Sequence, residues 1–342
     1  MNRLAALLLL PLAATAGAHD LQNPSAPTPP PGQDPALTMP SPEDVEATLL
    51  ALGEIDQRLT VPVAVGTSGP YNFIIDTGAE RTVVSRELAG SLRLGASSPV
   101  MITSMTGRDL VNTVVVPGLS IKSIGEEHTI IAPALGARDL GALGLLGIDT
   151  LRNHQVTIDF EKGTMAVRPS VKRNSFSRRD RDEIVVTAKS VFGQLIVTDA
   201  YYDNTRIQVV LDTGSQVTMG NSALRKRVGR DAPRSQKIML TSVTGDQTTA
   251  DYTQVPNILV GQVRFGSMPV AFADVTPFER FGLVKRPALL LGMDALRSFR
   301  RVEIDFPNRQ VRFLMPKAAR PKWAGTGSML PGVTPPGQIR TY

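Results

Sequence analysis

No cysteine occurs anywhere in the 342 residues. That excludes disulfides, thiol nucleophiles, thiolate metal sites and a lipidated N-terminal cysteine. Histidine is nearly as scarce: His19, His128 and His154 are the whole complement, too few for a multi-histidine metal centre and few candidates for a serine–histidine triad. Aromatic residues reach only 5%. Beyond the N-terminus no apolar run is long enough to span a membrane. What the chain does have is 29 glycines and 26 prolines, which favours many short elements joined by turns over a bundle of long helices. Its 42% hydrophobic and 20% charged residues are those of a globular protein. At roughly 150 residues per domain the length suggests two domains.

The formal charge of +6 is local. Arg168, Lys172, Arg173, Arg178, Arg179 and Arg181 outweigh Asp180 in one stretch, and Lys317, Arg320, Lys322 and Arg340 meet no acid in another. The remainder is slightly acidic. Neither basic stretch carries interleaved aromatics or a recognition-helix pattern, so they read as solvated connectors, with no nucleic-acid partner. They would allow at most weak attraction to an anionic envelope surface.

The two ends read as processing and linking segments. Arg3, an apolar run from Leu4 to Ala14, and the small residues Ala16, Gly17 and Ala18 have the pattern of a cleaved signal peptide over 1–18, which implies an exported, periplasmic or secreted protein. Residues 19–42 hold eight prolines and form a linker. Ser41, Pro42, Glu43 and Asp44 then suit the start of a short helix with Val45, Leu49 and Leu52 as its apolar stripe.

The chain also matches itself. FIIDTGAERTVV at 73–84 answers VVLDTGSQVTMG at 209–220, and MITSMTG at 101–107 answers MLTSVTG at 239–245. LLGIDTLRNHQVTIDF at 145–160 answers LLGMDALRSFRRVEIDF at 290–306. The order is constant and the spacing drifts slowly, as in a duplicated unit with loop insertions. We therefore expect an N-terminal lobe over 43–168, a basic interlobe linker over 169–183, a C-terminal lobe over 184–316 and a flexible basic tail over 317–342. Within the copies, Arg58–Val65 and Tyr71–Ile75 read as a hairpin, followed by strands at Val111–Val116, Gly118–Ile124 and Thr129–Ala132. Leu195–Ala200 and Arg206–Leu211 flank the Asp203-Asn204 turn. Short helices are expected near 86–93, 149–153, 222–228 and 294–299. The fold class is all-β, in two tandem lobes.

Asp76-Thr77-Gly78 and Asp212-Thr213-Gly214 each follow three apolar residues, at the same place in each copy. One such motif could be a turn cap; two, each with a later LLG, need more. A strand end presents the aspartate, glycine permits close approach, and threonine supplies a hydroxyl that can lock the loop. A two-fold arrangement would bring the carboxylates together. At ~3 Å two charges repel by about 5 kcal/mol at an effective dielectric near 20, so they share a proton, one acting as base and one as acid. Such chemistry needs no metal or cofactor.

These motifs resemble the aspartic peptidases of the retroviral (retropepsin-like) type, here in a single-chain bilobal form of exported bacterial type. The resemblance implies an acid-protease fold and an aspartic endopeptidase acting on a peptide or protein substrate. It implies Asp76 and Asp212 as catalytic dyad, Thr77 and Thr213 as interlocking hydrogen-bond partners, and Gly78 and Gly214 as contacts to the substrate backbone. It implies flaps over 101–109 and 239–247 with tips near Gly107 and Gly245, and Leu145–Gly147 and Leu290–Gly292 packed under the aspartate loops. Neither flap has the tyrosine of a pepsin. Ile148 and Met293 stand where retroviral enzymes have an arginine, so that ion pair is not expected.

Further expectations come from the residues themselves. Asp149 and Asp294 read as N-caps. Ser215 could donate its hydroxyl to a carboxylate oxygen where Ala79 cannot, which would place the dyad's charge on Asp212. His154 answers Phe299 in the other copy, so it reads as packing; His128 reads as a loop or strand-edge residue. The expected state is a monomer whose lobes pair within the chain. Two alternatives remain open at this stage: a catalytically silent peptide-binding module with the same fold, and lobes that pair between chains.

Overall fold

In a computed structural model, the described residues are 60–121, 123–125, 127–170, 172, 183–229 and 235–316. The expected signal peptide, proline-rich linker and 43–52 helix, most of the basic interlobe stretch and the tail lie outside them. Among the described residues no helix is long and apolar enough to cross a membrane.

Alternation of side chains builds the first hairpin. In β1 (Thr60–Val65), Val61, Val63 and Val65 face inward while the residues between them do not. β2 (Ser68–Ile75) returns antiparallel, with Val61 opposite Phe73. The rest of the first copy is β3 (Val83–Ser85), α1 (Arg86–Ser91), β4 (Ala96–Thr103), β5 (Arg108–Ile121), β6 (Glu127–Leu135), α2 (Ala137–Leu140), β7 (Gly144–Leu146), α3 (Ile148–Leu151), β8 (His154–Asp159) and β9 (Thr164–Pro169). The second copy opens with β10 (Glu183–Val191) and then repeats the series. It runs through β11 (Gln194–Tyr202), β12 (Thr205–Leu211), β13 (Met219–Gly220), α4 (Ser222–Val228), β14 (Gln236–Thr241), β15 (Gln247–Val260) and β16 (Val263–Phe272). It closes with α5 (Thr276–Arg280), β17 (Ala288–Leu291), α6 (Met293–Leu296), β18 (Arg301–Asp305) and β19 (Gln310–Leu314).

Both copies fold the same way. The first sheet runs β1-β2-β7-β3-β6-β5-β4, and the second contains the matching series β11-β12-β17-β13-β16-β15-β14. In each, the first strand of the series also pairs with the long flap strand, β1 with β5 and β11 with β15, so the sheet curls toward closure. The protein is therefore mostly β, in two tandem lobes. The second sheet continues through β10, β19 and β18 into β8 and β9 of the first copy. There β8 and β18 pair antiparallel, Thr157 opposite Glu303, and join the two copies in one ladder.

Two differences from the sequence reading have local causes. The segments 111–116 and 118–121 lie in one strand, β5, because Pro117-Gly118 makes a register shift between Val116 and Leu119 and not a turn. Gly118 takes a left-handed conformation (φ 56°) there. The short helices α2 and α5 were not expected. Their signals are weak ones: Gly141 in the left-handed region closes α2, and Pro277 opens α5.

Candidate active site

Each DTG loop hangs from a parallel strand pair. Ile74 and Ile75 pair with Leu145 and Leu146, and Val209 to Leu211 pair with Leu289 to Leu291. The aspartate that follows continues this pairing: Asp76 N–H donates to the Leu146 carbonyl at 3.0 Å and Asp212 N–H to the Leu291 carbonyl at 3.1 Å. The loop then turns against the next short helix, whose first N–H groups bind its carbonyls. Ile148 and Asp149 donate to Ala79 and Glu80 at 2.9 and 3.1 Å, and Met293 and Asp294 to Ser215 and Gln216 at 2.9 and 3.2 Å. Gly147 and Gly292 allow this approach, since a Cβ at Gly292 would lie 2.7 Å from the Val217 backbone.

Asp149 and Asp294 are not N-caps. The caps are Gly147 and Gly292, and each aspartate lies in the first turn of its helix. Their carboxylates instead hold the far side of the DTG loop. Asp149 accepts the Thr82 N–H at 2.9 Å and hydroxyl at 2.7 Å; Asp294 accepts the Thr218 N–H at 3.0 Å and hydroxyl at 2.6 Å. A carboxylate two residues into a helix suits both the positive helix end and the turn it grips.

The two loops meet through their threonines. Thr77 N–H donates to Thr213 Oγ1 and Thr213 N–H to Thr77 Oγ1, both at 3.1 Å. The Thr77 hydroxyl donates to the Leu211 carbonyl at 2.9 Å and the Thr213 hydroxyl to the Ile75 carbonyl at 2.7 Å. The N–H and hydroxyl of both threonines are matched, and the match crosses between copies of one chain. Gly78 and Gly214 sit against the opposite carboxylate. A Cβ on Gly78 would lie 2.7 Å from Asp212 Oδ1, and one on Gly214 would overlap the Asp76 carboxylate. Neither glycine has positive φ, so the motif needs glycine for space and not for turn conformation.

Asp76 Oδ1 accepts the N–H groups of Gly78 and Ala79 at 2.8 and 3.0 Å; Asp212 Oδ1 accepts those of Gly214 and Ser215 at 3.1 and 3.2 Å. Burial raises the pKa of Asp76 above its ordinary value, opposed by the two N–H donors. Asp212 is pushed up to about 7, by burial first and then by the Asp76 charge, against its own pair of N–H donors. The hydroxyl of Ser215 does not take part: it donates to the Val217 carbonyl at 2.8 Å. Ser215 supports Asp212 with its N–H, as Ala79 supports Asp76, so the expected reason for charge on Asp212 is gone. The shorter N–H contacts lie at Asp76, which favours the charge there and the proton on Asp212.

Above the dyad lies a cleft of about 290 Å³, lined among others by Ala79, Val83, Met105, Met219, Val243 and Leu290. Two hairpins cover it, β4–β5 with its turn at 104–107 and β14–β15 with its turn at 242–246. Gly107 closes the first turn, its carbonyl taking the Ser104 N–H at 2.8 Å; Gly245 closes the second with φ 91°. Each tip reaches the opposite copy. Met105 packs beside Met219, Phe278 and Leu290 of the second lobe, while Val243 packs beside Val83, Leu135 and Leu140 of the first. The Met105 carbonyl accepts the Thr276 N–H of α5 at 3.1 Å.

Sequence reasoning missed the residues at the lobe boundary. Gln194 of β11 donates from Nε2 to the Gly78 carbonyl at 3.0 Å, and Arg280 of α5 pairs with Glu80 of the first copy over the Phe192 ring. Nothing local marks them, because their partners lie in the other copy. His154 is buried, with Nδ1 3.0 Å from the Thr150 carbonyl, and Phe299 is buried in the second copy; His154 is absent from the cleft lining. His128 is an exposed residue of β6.

No curated protein matches the chain. Among solved structures it is similar to a retropepsin-like aspartic protease from Rickettsia conorii, at 17% identity over 39% of this chain and 90% of that one, with a TM-score of 0.27. A family model described as aspartyl protease matches residues 61–150 and 198–295, one segment in each copy. These segments make up more than half the chain, and the chain belongs to the aspartyl protease family.

Proposed function

We propose that the protein is an exported, retropepsin-like aspartic endopeptidase that forms its whole active site within one chain. The observation that carries this reading is the pair of half-buried carboxylates, Asp76 and Asp212, each held by two N–H groups and each facing the other loop's glycine over the shared threonine lattice. A peptide bond held in the cleft would place its carbonyl carbon beside a water between them. Ionised Asp76 takes a proton from the water as its oxygen attacks, and Asp212 gives its proton to the carbonyl oxygen. Asp76 then passes its proton to the amide nitrogen as the C–N bond breaks, and a hydroxyl of the diol returns a proton to Asp212. Two flaps that reach across to the opposite lobe suit a cover that closes on an extended peptide and excludes water.

The leader pattern at 1–18 supports export, and the threonine contacts within one chain support a monomer. Peptide cleavage by the mature chain, assayed from pH 3 to 8 with and without a statine-type inhibitor, tests the reading beside Asp76→Ala and Asp212→Ala. Cleavage blocked by the inhibitor and lost in both variants is expected. Activity that survives both substitutions ends the dyad assignment, and a wild type that binds peptides without cutting them is a silent binding module.

A further inference from the structure

At one end of the cleft the chain holds polar atoms that it does not use. Gln194 begins β11, directly after the Phe192-Gly193 turn, in which both residues have positive φ (52° and 91°). The turn carries the side chain to the other lobe, where it is 1% exposed and lines the cleft beside Gly78. Its Nε2 is spent on the Gly78 carbonyl, but Oε1 is buried with no hydrogen-bond partner among the described residues. The same holds for Nε of Arg280, which also lines the cleft, 5.0 Å from the Phe192 ring and paired with Glu80. An acceptor and a donor are thus left unmatched at one place, brought there by a hairpin turn, the helix α5 and the loop after the first DTG.

Buried polar groups are ordinarily matched, and an unmatched one penalises the free protein until a ligand or water supplies its counterpart. An extended peptide supplies both counterparts, since each residue has one N–H and one carbonyl. The Gly78 carbonyl, a main-chain acceptor two residues after Asp76, is already engaged by Gln194. We infer that Gln194 and Arg280 form a main-chain-reading subsite beside the first DTG loop, in which Gln194 Oε1 accepts an N–H of the bound peptide and Arg280 donates to one of its carbonyls. This rests on the peptidase reading and deepens it. One side of the substrate is gripped by side chains from the opposite lobe, and the grip is directed at the peptide backbone and not at a particular side chain.

The test is an N-methyl scan. One cleaved peptide is made with a methyl group on each backbone nitrogen in turn, and KM and kcat are measured for the wild type, Gln194→Met and Arg280→Gln. Gln194→Met should raise KM by roughly five- to tenfold with kcat within about threefold. Methylation at one position on the first-loop side should raise the wild-type KM by a similar factor and add nothing further in Gln194→Met. Arg280→Gln, at a side chain 32% exposed, should raise KM on the unmethylated peptide while keeping the methyl sensitivity, which guards against a misfolded Gln194 variant. If every methylated peptide loses the same factor in wild type and Gln194→Met, or if Gln194→Met lowers the Tm and kcat with KM unchanged, water or packing accounts for the amide and the subsite is wrong while the peptidase reading stands. A wild type that neither cleaves peptides nor binds a statine-type peptide by calorimetry overturns both.

Discussion

Replacing Asp212 with asparagine should make the protein more stable as it becomes inactive, and the gain should depend on pH. In the unfolded chain Asp212 titrates at the ordinary 3.8; in the fold burial and the Asp76 charge push it to about 7. Between these values the folded protein keeps a proton that the unfolded chain has released. The stability tied to that proton is complete below the unfolded pKa and is lost as pH rises through the folded one. At 1.36 kcal/mol per pKa unit, the loss by pH 8 is about 4 kcal/mol. An asparagine in its place would be neutral throughout. The amide oxygen could still accept the Gly214 and Ser215 N–H groups, which lie 3.1 and 3.2 Å from Asp212 Oδ1, and the amide N–H could face Asp76 where the shared proton was.

Urea or thermal unfolding of wild type and Asp212→Asn at pH 4, 6 and 8, at constant ionic strength, reads this out. Near pH 4 the two proteins should be close. At pH 8 the variant should lead by up to about 4 kcal/mol, on the order of 8–16 °C in Tm for a protein of this size. Cleavage should be absent in the variant at every pH. In the wild type it should fall as pH rises through about 7, where Asp212 loses its proton, and fall again in acid, where Asp76 gains one. A stability difference that stays flat from pH 4 to 8 would refute the assignment of a desolvated, proton-holding Asp212.

Thr213→Val removes the hydroxyl that donates to Ile75 and accepts from Thr77; two buried groups lose their partners, so unfolding should become easier by about 2–5 kcal/mol, with Thr213→Ser recovering most of it in the same urea titration. Gly214→Ala drives a Cβ into the Asp76 carboxylate, and kcat should drop by at least about a hundredfold because the reacting geometry tolerates little displacement; near-normal kcat would mean that the loops open freely. His154→Phe gives the first copy the residue that the second copy buries at the same place as Phe299, and kcat/KM should stay within about twofold, whereas a collapse in activity with an unchanged Tm would assign His154 a role in chemistry.

What could be read from the sequence was whatever the duplication repeats. The DTG loops, the strand hairpins and the LLG segments are written twice in the same order, and each is built from contacts close in sequence or from strand alternation. Periodicity did less well where one residue pair decides the backbone: Pro117-Gly118 looks like a strand break, yet β5 absorbs it as a register shift because β6 pairs on both sides of it. Asp149 and Asp294 looked like caps because position alone cannot say that Thr82 and Thr218 lie within reach, 67 and 76 residues away.

The features that escaped are those where one copy meets the other unequally. The threonine lattice is symmetric, so two identical motifs were enough to suggest it. Gln194 on Gly78, Arg280 on Glu80 and Met105 on Thr276 join residues 116, 200 and 171 positions apart, and no local pattern marks either partner. Gln216 stands at the second-copy position of Glu80, so an ion pair like that of Glu80 with Arg280 cannot recur there. Duplication thus produced a pair of matched carboxylates, and divergence after it made their surroundings unlike. A peptide backbone has a direction, whereas two equal lobes would read it the same way from either end. On the peptidase reading, changes such as Glu80 against Gln216 would let one chain hold a substrate in a single orientation, which a dimer of identical lobes could do only after the substrate itself had broken the symmetry.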